Sequence, residues 1–410
     1  MILHEQEKLT PQDAGALLLE RNMSAFLPSE LGINYAEGNF WTSYYVGACR
    51  IHDQEVVVLP KRNLDFMTLF ASALTYAPTA DDFSSYYGID WESEATANTH
   101  LYQVLTPLLV MHYLTVLNKL VQAGLKRGYV TRTQNLRGQI KGRVMPLQHW
   151  RQNVLPKRED RFMCRFQEFT VDIPVNRLLK RALEYSLIQL SLVRSRTVNL
   201  RPNRIIDLQR PLNEAFSCVS RDVQLHEVRT EKVSKLNRYY TQAVQLAKQI
   251  LRHQENNIGQ ADCSNKVPMF WIDMSRLFEV YALQRMRDVY GEDVLYQQHG
   301  SLGTICDYLH VTERLIIDAK YKYWYGENLY ANRKALVDDI REISGYANDT
   351  KLREKMIDGV SEPTCVILYP SGKEDTIFPP KMADALPGHE ISEYMRFYRL
   401  PIQVPLLGAQ

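Results

Sequence analysis

From Asn98 to Gly128 the pattern is helical: LYQVLTPLLVMHYLTVLNKLVQAGLKRG (101–128) has apolar residues recurring at helical spacing up to Lys126, Arg127 and Gly128. That pattern predicts a long helix ending at Gly128, with Pro107 marking a start or a kink. The same spacing predicts a second helix over 175–196 and a third over roughly 227–254. Upstream the apolar runs are short. Residues 39–61, NFWTSYYVGACRIHDQEVVVLPK, hold two β-rich runs, one of them Glu55–Leu59, separated by the turn-like IHDQ. They predict a hairpin. The polar stretch YAPTADDFSSYYG (76–88) predicts a loop or linker. There is no internal repeat and no low-complexity tract.

After NNIGQADCSNKVP (256–268), a polar linker, the pattern changes to a helix at about 272–290, short strands, a further helix at 331–349 and the strand CVILYP at 365–370. Alternation of this kind predicts a compact α/β unit. The expected organisation is a β-rich N-terminal domain over 1–95, a mostly helical middle region over 96–260 and a C-terminal α/β domain over 261–410. The fold class is therefore multidomain, α+β followed by α/β.

Within the last domain, TICDYLHVTERLIIDAKYK (304–322) has two extended runs flanking VTER and predicts a second hairpin. Residues two apart share a face of a strand. Leu315, Ile317, Ala319 and Tyr321 form one face; Ile316, Asp318, Lys320 and Lys322 form the other. Pairing in the hairpin could bring Asp307 beside Asp318. Two carboxylates at a strand end suit a hard divalent cation such as Mg²⁺, which takes a few carboxylate oxygens plus water and substrate phosphate. Lys320 could orient or help deprotonate an attacking water and stabilise charge on phosphorus. A third carboxylate, Glu279, falls on the apolar stripe of the 275–290 helix with Leu283, Met286 and Tyr290, where an unpaired charge is costly. Blander readings stay open: a solvated strand edge for Asp318 and Lys320, a turn or edge position for Asp307, and a bridge from Glu279 to Arg276.

Composition narrows the classes. The chain has 410 residues, 45% hydrophobic and 23% charged, an ordinary globular mixture with enough apolar material for sizeable cores. The net charge of +2 excludes a general polycation, so any nucleic-acid contact needs local charge. Residues 126–165 supply it, with eleven Lys and Arg against two acids, a net of +9. Arg132, Arg137, Lys141 and Arg143 are candidates there for gripping phosphate, for meeting an acidic partner or for acting on a partner's nucleotide site, and Lys322 and Tyr346 in the last domain are further candidates for binding DNA or a partner. The six cysteines are scattered with no CxxC pair, which reads as reduced thiols rather than a disulfide or zinc scaffold. The start, MILHEQEKLTPQDAG, has no apolar signal region, and no run of about 18 apolar residues occurs, so a cytoplasmic protein without membrane spans is expected. No G-x-x-x-x-G-K-[ST] loop is present; PSGKED (370–375) lacks the other glycine and the hydroxyl residue.

Two resemblances follow from these residues. Glu279, Asp307 and Asp318-x-Lys320 in this order resemble the PD-(D/E)xK nuclease core, with Cys306 where a proline often precedes the first Asp. In many such nucleases the next helix carries a polar residue and a Tyr facing the site; the candidates here are Asp339, Glu342 and Tyr346. NLRGQIKGRV (135–144) and CRFQEFTVDIPVNRLLKRAL (164–183), through Asn135, Leu136, Arg137, Gly138, Ile140, Glu168, Phe169, Asp172, Pro174, Asn176, Arg177, Leu178 and Lys180, resemble the McrC family, the nuclease subunit of the McrBC 5-methylcytosine restriction system. Glu342 stands where that family commonly has Gln. The resemblance implies a Mg²⁺-dependent DNA endonuclease that cuts modified double-stranded DNA for antiphage defence. It also implies docking on, and stimulation of, a McrB-like AAA+ GTPase that reads the base. A non-catalytic activator of such a GTPase and a stand-alone nuclease remain as alternatives. Asp172, Pro174 and Asn176 read as the capped start of a helix.

Overall fold

The computed structural model describes residues 1–17, 32–36, 38–51, 54–66, 68–70, 86–96, 99–196, 204–223, 238–258, 266–357 and 361–406. It divides into two compact units, residues 1–111 with 262–410, and residues 112–261. Of the loop expected over 76–88, residues 76–85 lie outside the described residues, as do the start of the third helix at 227–237 and Cys263, while Tyr87 and Gly88 are strand rather than loop because they pair with Ile272 and Trp271.

The chain opens with β1 (Ile2–His4), α1 (Pro11–Ala16), β2 (Asn34–Ala36), β3 (Asn39–Trp41), β4 (Tyr45–Ile51), β5 (Gln54–Leu59) and β6 (Tyr87–Thr96). β4 and β5 form the expected antiparallel hairpin, pairing from Gly47–Val58 to Ile51–Gln54. β1 lies parallel to β5. Leu3, Leu9, Cys49, Val56 and Val58 share one apolar cluster.

Next come α2 (Thr99–Ala123), β7 (Gly128–Arg137), β8 (Arg143–Val144), β9 (Arg161–Thr170), α3 (Pro174–Arg196), α4 (Arg204–Ala215) and α5 (Arg238–Ile258). Pro107 lies inside α2 rather than at its start. The helix ends before Gly128, because Gly124 turns to φ 95°, a conformation that costs glycine little. Residues 126–165 do not follow the expected mostly helical character of the middle region. They form most of a three-stranded sheet, β7-β9-β8. β7 alternates in exposure at period two and pairs with β9 from Gly128–Thr170 to Arg137–Arg161. β-branched and aromatic residues such as Val130, Thr131, Phe162 and Phe166 suit that pleated surface.

The chain ends with β10 (Lys266–Asp273), α6 (Met274–Tyr290), β11 (Val294–His299), β12 (Ile305–His310), β13 (Leu315–Ala319), α7 (Arg333–Ala347), α8 (Thr350–Arg353), β14 (Thr364–Ser371) and β15 (Phe397–Gln403). β10 joins the segments 1–95 and 261–410, which the pattern sets apart as separate domains. It pairs antiparallel with both β4 and β6, so residues 1–95 and the C-terminal segment share one sheet, ordered β1-β5-β4-β10-β6. Gly47 makes the close approach possible, since a Cβ there would collide with the Phe270 carbonyl. The second sheet is ordered β11-β12-β13-β14-β15. Its first three strands are antiparallel and its last three parallel. α7 buries Leu336, Ile340 and Ile343 in a cluster with Leu309, Ile316 and Ile367. Among the described residues, no helix is long and apolar enough to cross a membrane.

Candidate active site

Pairing of β12 with β13 puts Tyr308 opposite Ile317. One step further out, the same register sets Asp307 beside Asp318. Asp307 Oδ2 accepts the Ala319 amide at 2.9 Å. Asp318 is 2% exposed, and its Oδ2 meets Lys320 Nζ at 2.7 Å. Lys320 Nζ also donates to Glu342 Oε2 at 2.7 Å, and Tyr346 Oη donates to Glu342 Oε1 at 3.0 Å. Glu279 comes from α6, which starts where the Asp273 carboxylate caps the Ser275 and Arg276 amides. The Glu279 carbonyl accepts Tyr308 Oη at 2.6 Å, and Tyr296 Oη lies 3.5 Å from its carboxylate. Arg276 faces Asp273 at 3.7 Å.

These groups share more negative charge than one ammonium offsets. Burial, then Asp318 and Glu279, push Asp307 well above the usual carboxylate range. Burial, then Asp318 and Asp273, push Glu279 up to about 7. Burial raises Asp318 as well, against the pull of Lys320. Burial works against the charge on Lys320, but Asp318 and Glu342 outweigh it and hold the ammonium above the usual lysine range. Glu342 is lowered: burial opposes its charge, and the Lys320 hydrogen bond and charge overcome that. In this arrangement Lys320 is a hydrogen-bond donor and a positive charge.

The donor chemistry fits a hard cation. The surplus charge sits on carboxylate oxygens, the ligands Mg²⁺ prefers. Among the described residues no group of three or more carboxylate, imidazole or thiolate side chains is arranged to hold a metal ion. One or two carboxylates are what Mg²⁺ ordinarily takes from protein when water and substrate phosphate complete its shell.

Lys322 shares the Lys320 face, but both Asp339 oxygens engage its Nζ, at 2.8 and 2.7 Å. Tyr325 Oη also donates to Asp339 at 2.8 Å. Asp339 and Glu342, three apart on α7, thus hold one lysine each. The pairing depends on α7 crossing the end of β13, and it gives Glu342 and Tyr346 a place that residue types alone did not.

The basic candidates lie in the other unit. Arg132 pairs with Glu168 at 2.6 Å and Asp172 at 3.4 Å, and Arg137 with Asp160 at 2.8 Å. Lys141 Nζ lies 4.4 Å from the Phe166 ring centroid, and Arg143 sits opposite Arg165. Gly138 and Gly142 take φ 67° and 68°, and a Cβ at Gly142 would crowd the Arg165 carbonyl at 2.5 Å. Tyr129 and Phe169 are exposed with ring centroids 5.1 Å apart, and Leu147, Trp150 and Leu155 are exposed too. Asp172 binds Arg177 Nε and the Ser220 amide, each at 2.8 Å, while buried Asn176 donates to the Lys126 and Val171 carbonyls. Those two side chains fasten neighbouring segments rather than cap a helix; Pro174 does open α3.

The family described as McrBC 5-methylcytosine restriction system component matches residues 41–354. No curated protein matches. Among solved structures, a half-complex from a tetradecameric assembly of Thermococcus gammatolerans McrB AAA+ hexamers with bound McrC is similar at 16% identity. That match covers all of this chain and 96% of that one, with a TM-score of 0.39. A second chain, from the Thermococcus gammatolerans McrBC complex, is 17% identical over 70% of this chain and 86% of its own, with a TM-score of 0.30.

Proposed function

The chain belongs to the McrBC 5-methylcytosine restriction system component family, and from that premise we propose that it is the Mg²⁺-dependent endonuclease subunit of a modification-dependent restriction system. The carrying observation is the charged cluster on the inner strands β12 and β13: Asp307 and Asp318 juxtaposed by strand register, with Lys320 clamped as an ammonium between Asp318 and Glu342.

Asp307 and Asp318, with the Ala319 carbonyl, would hold Mg²⁺. When bound, the ion supplies a Lewis acid for the phosphoryl oxygen and lowers the pKa of a bound water. Lys320 donates hydrogen bonds to the attacking water or to a non-bridging phosphate oxygen and stabilises the charge that builds on phosphorus. Glu279, whose proton affinity is near neutral, holds or releases a proton beside that water. Glu342 and Tyr346 hold the Lys320 arm in place. The phosphodiester is then cleaved by in-line displacement.

The partner is a McrB-like AAA+ GTPase that reads the modified base and moves the double-stranded DNA. The sequence has no phosphate loop of its own. The β7–β9 sheet and the helical stretch before β9 combine net positive charge with exposed Tyr129, Phe169 and Trp150, which suits a docking or DNA-contacting surface. The test is to mix chain, partner GTPase, GTP, Mg²⁺ and methylated DNA, omitting one at a time. Double-strand cleavage should require all five, and the chain should raise GTP turnover by the partner. Cleavage by the chain alone would favour a stand-alone nuclease, and stimulation without cleavage would favour a non-catalytic activator.

A further inference from the structure

The residue after Lys320 is gripped at both ends by the N-terminal segment. Gln6 Nε2 donates to the Tyr321 carbonyl at 2.8 Å, and Tyr321 Oη donates to Glu5 Oε1 at 2.9 Å. The two grips come from adjacent residues in a turn just after β1, more than 300 positions away in sequence. That turn is fixed by its own backbone. The Glu5 amide bonds the Leu59 carbonyl and the Gln6 amide the Ser43 carbonyl, each at 3.0 Å. Thr42 Oγ1 donates to the His4 carbonyl at 2.6 Å and accepts the Glu7 amide at 2.9 Å.

Two features of the turn are costly for folding alone. Gln6 holds φ 52°, a left-handed conformation that strains a non-glycine residue. Glu5 is fully buried. Its Oε1 accepts the Lys61 amide and Tyr321 Oη, while Oε2 has no hydrogen-bond partner among the described residues. A buried, half-satisfied carboxyl is unfavourable where an apolar side chain would fit. Burial pushes it up to about 7.

The grip faces the reacting groups from two sides. The Tyr321 ring packs on Phe278, centroids 5.8 Å apart, and Phe278 directly precedes Glu279. The sheet whose strand β1 leads into Glu5 and Gln6 also holds β10, and β10 runs straight into the helix that carries Glu279. Beyond the end of β13, Lys320 is tied to the second sheet by its amide on the Leu368 carbonyl at 2.9 Å.

We infer that Glu5 and Gln6 are positioning residues for the phosphodiester chemistry, fixing Lys320 and the Ala319 carbonyl through Tyr321, so that the N-terminal sheet is part of the active-site frame. This rests on the nuclease reading above. A displacement of about 1 Å at a reacting group costs up to about a hundredfold in rate, so loosening one end of Tyr321 is expected to slow cleavage by about tenfold or more.

The experiment uses the full chain with its GTPase partner and four variants: Gln6→Ala, Tyr321→Phe, Glu5→Gln and Asp318→Ala. Tyr321→Phe keeps the ring on Phe278 and removes only the hydroxyl; Glu5→Gln keeps an acceptor for Lys61 and Tyr321. Hydrogen exchange over residues 319–323, kcat and KM for DNA cleavage, and stimulated GTP turnover are measured on each. Gln6→Ala and Tyr321→Phe should raise exchange over 319–323 and cut kcat about tenfold, with KM and GTP turnover unchanged, while Glu5→Gln stays near wild type. Wild-type exchange over 319–323 in both Gln6→Ala and Tyr321→Phe would overturn the inference, as would a parallel loss of exchange protection everywhere, kcat and GTP turnover. If Asp318→Ala cleaves normally, the nuclease reading fails instead, and exchange over 319–323 alone decides the grip.

Discussion

Lys320 lies 2.7 Å from a carboxylate oxygen of both Asp318 and Glu342, and the two contacts have different consequences. Asp318 is buried, so its pairing with Lys320 is needed wherever no cation is bound. Glu342 is 45% exposed, so it aims the lysine at little cost in stability. Glu342→Ala should therefore leave the melting temperature nearly unchanged and slow single-turnover cleavage about ten- to a hundredfold. Wild-type cleavage in this variant would remove Glu342 from the site. The acids also set a pH dependence. Glu279 is near 4.5 unfolded and about 7 folded, and the folded state therefore binds its proton more tightly. The stability it contributes is present below about pH 4.5 and is lost as pH rises through about 7. Mg²⁺ at Asp307 and Asp318 would favour the ionised form of the carboxylates around it, Glu279 included, so the Mg²⁺-induced rise in melting temperature should grow from pH 5 to pH 8. A Mg²⁺ effect that is flat across this range, or unchanged in Glu279→Gln, would contradict the cluster's role.

At the scale of elements, α7 delivers Asp339 and Glu342 to the end of β13. Asp339 is 7% exposed and Lys322 32% exposed in side chain. Breaking a buried pair typically costs about 3–5 kcal/mol, and partial exposure lowers that. Lys322→Met is expected to cost about 2–3 kcal/mol, and Lys322→Met with Asp339→Leu to recover most of it. Urea unfolding of the two variants checks this; equal losses would mean that the pair is not the reason. The hairpin β12–β13, its turn, and the faces of Asp318 and Glu279 were legible because period-two and period-3.6 patterns are local. The roles of Lys322 and Glu342 were not, because they depend on which helix crosses the strand end. The β7–β9 sheet was missed because its alternation mixes exposed Tyr129 and Phe169 with charged residues, which weakens the apolar signal. The β10 pairing was unreadable because it joins residues 170 or more apart.

At the scale of the whole molecule, β10 finds both its neighbours, β4 and β6, in the first hundred residues. A fragment of residues 261–410, which the change in pattern near 260 invites one to cut, should lack a cooperative unfolding transition by circular dichroism. A sharp transition would show that the α/β segment is autonomous. On the proposed reading, the chain's larger role depends on the inner strands β12 and β13, where register, burial and a clamped ammonium gather Asp307, Asp318, Lys320 and Glu279. The most direct test compares wild type and Asp318→Asn in the assembled complex with the GTPase, at saturating GTP and Mg²⁺ on methylated DNA. Asp318→Asn should stimulate GTP hydrolysis as wild type does and leave the DNA uncut. Cutting at the wild-type rate would contradict the assignment of this cluster as the nuclease centre.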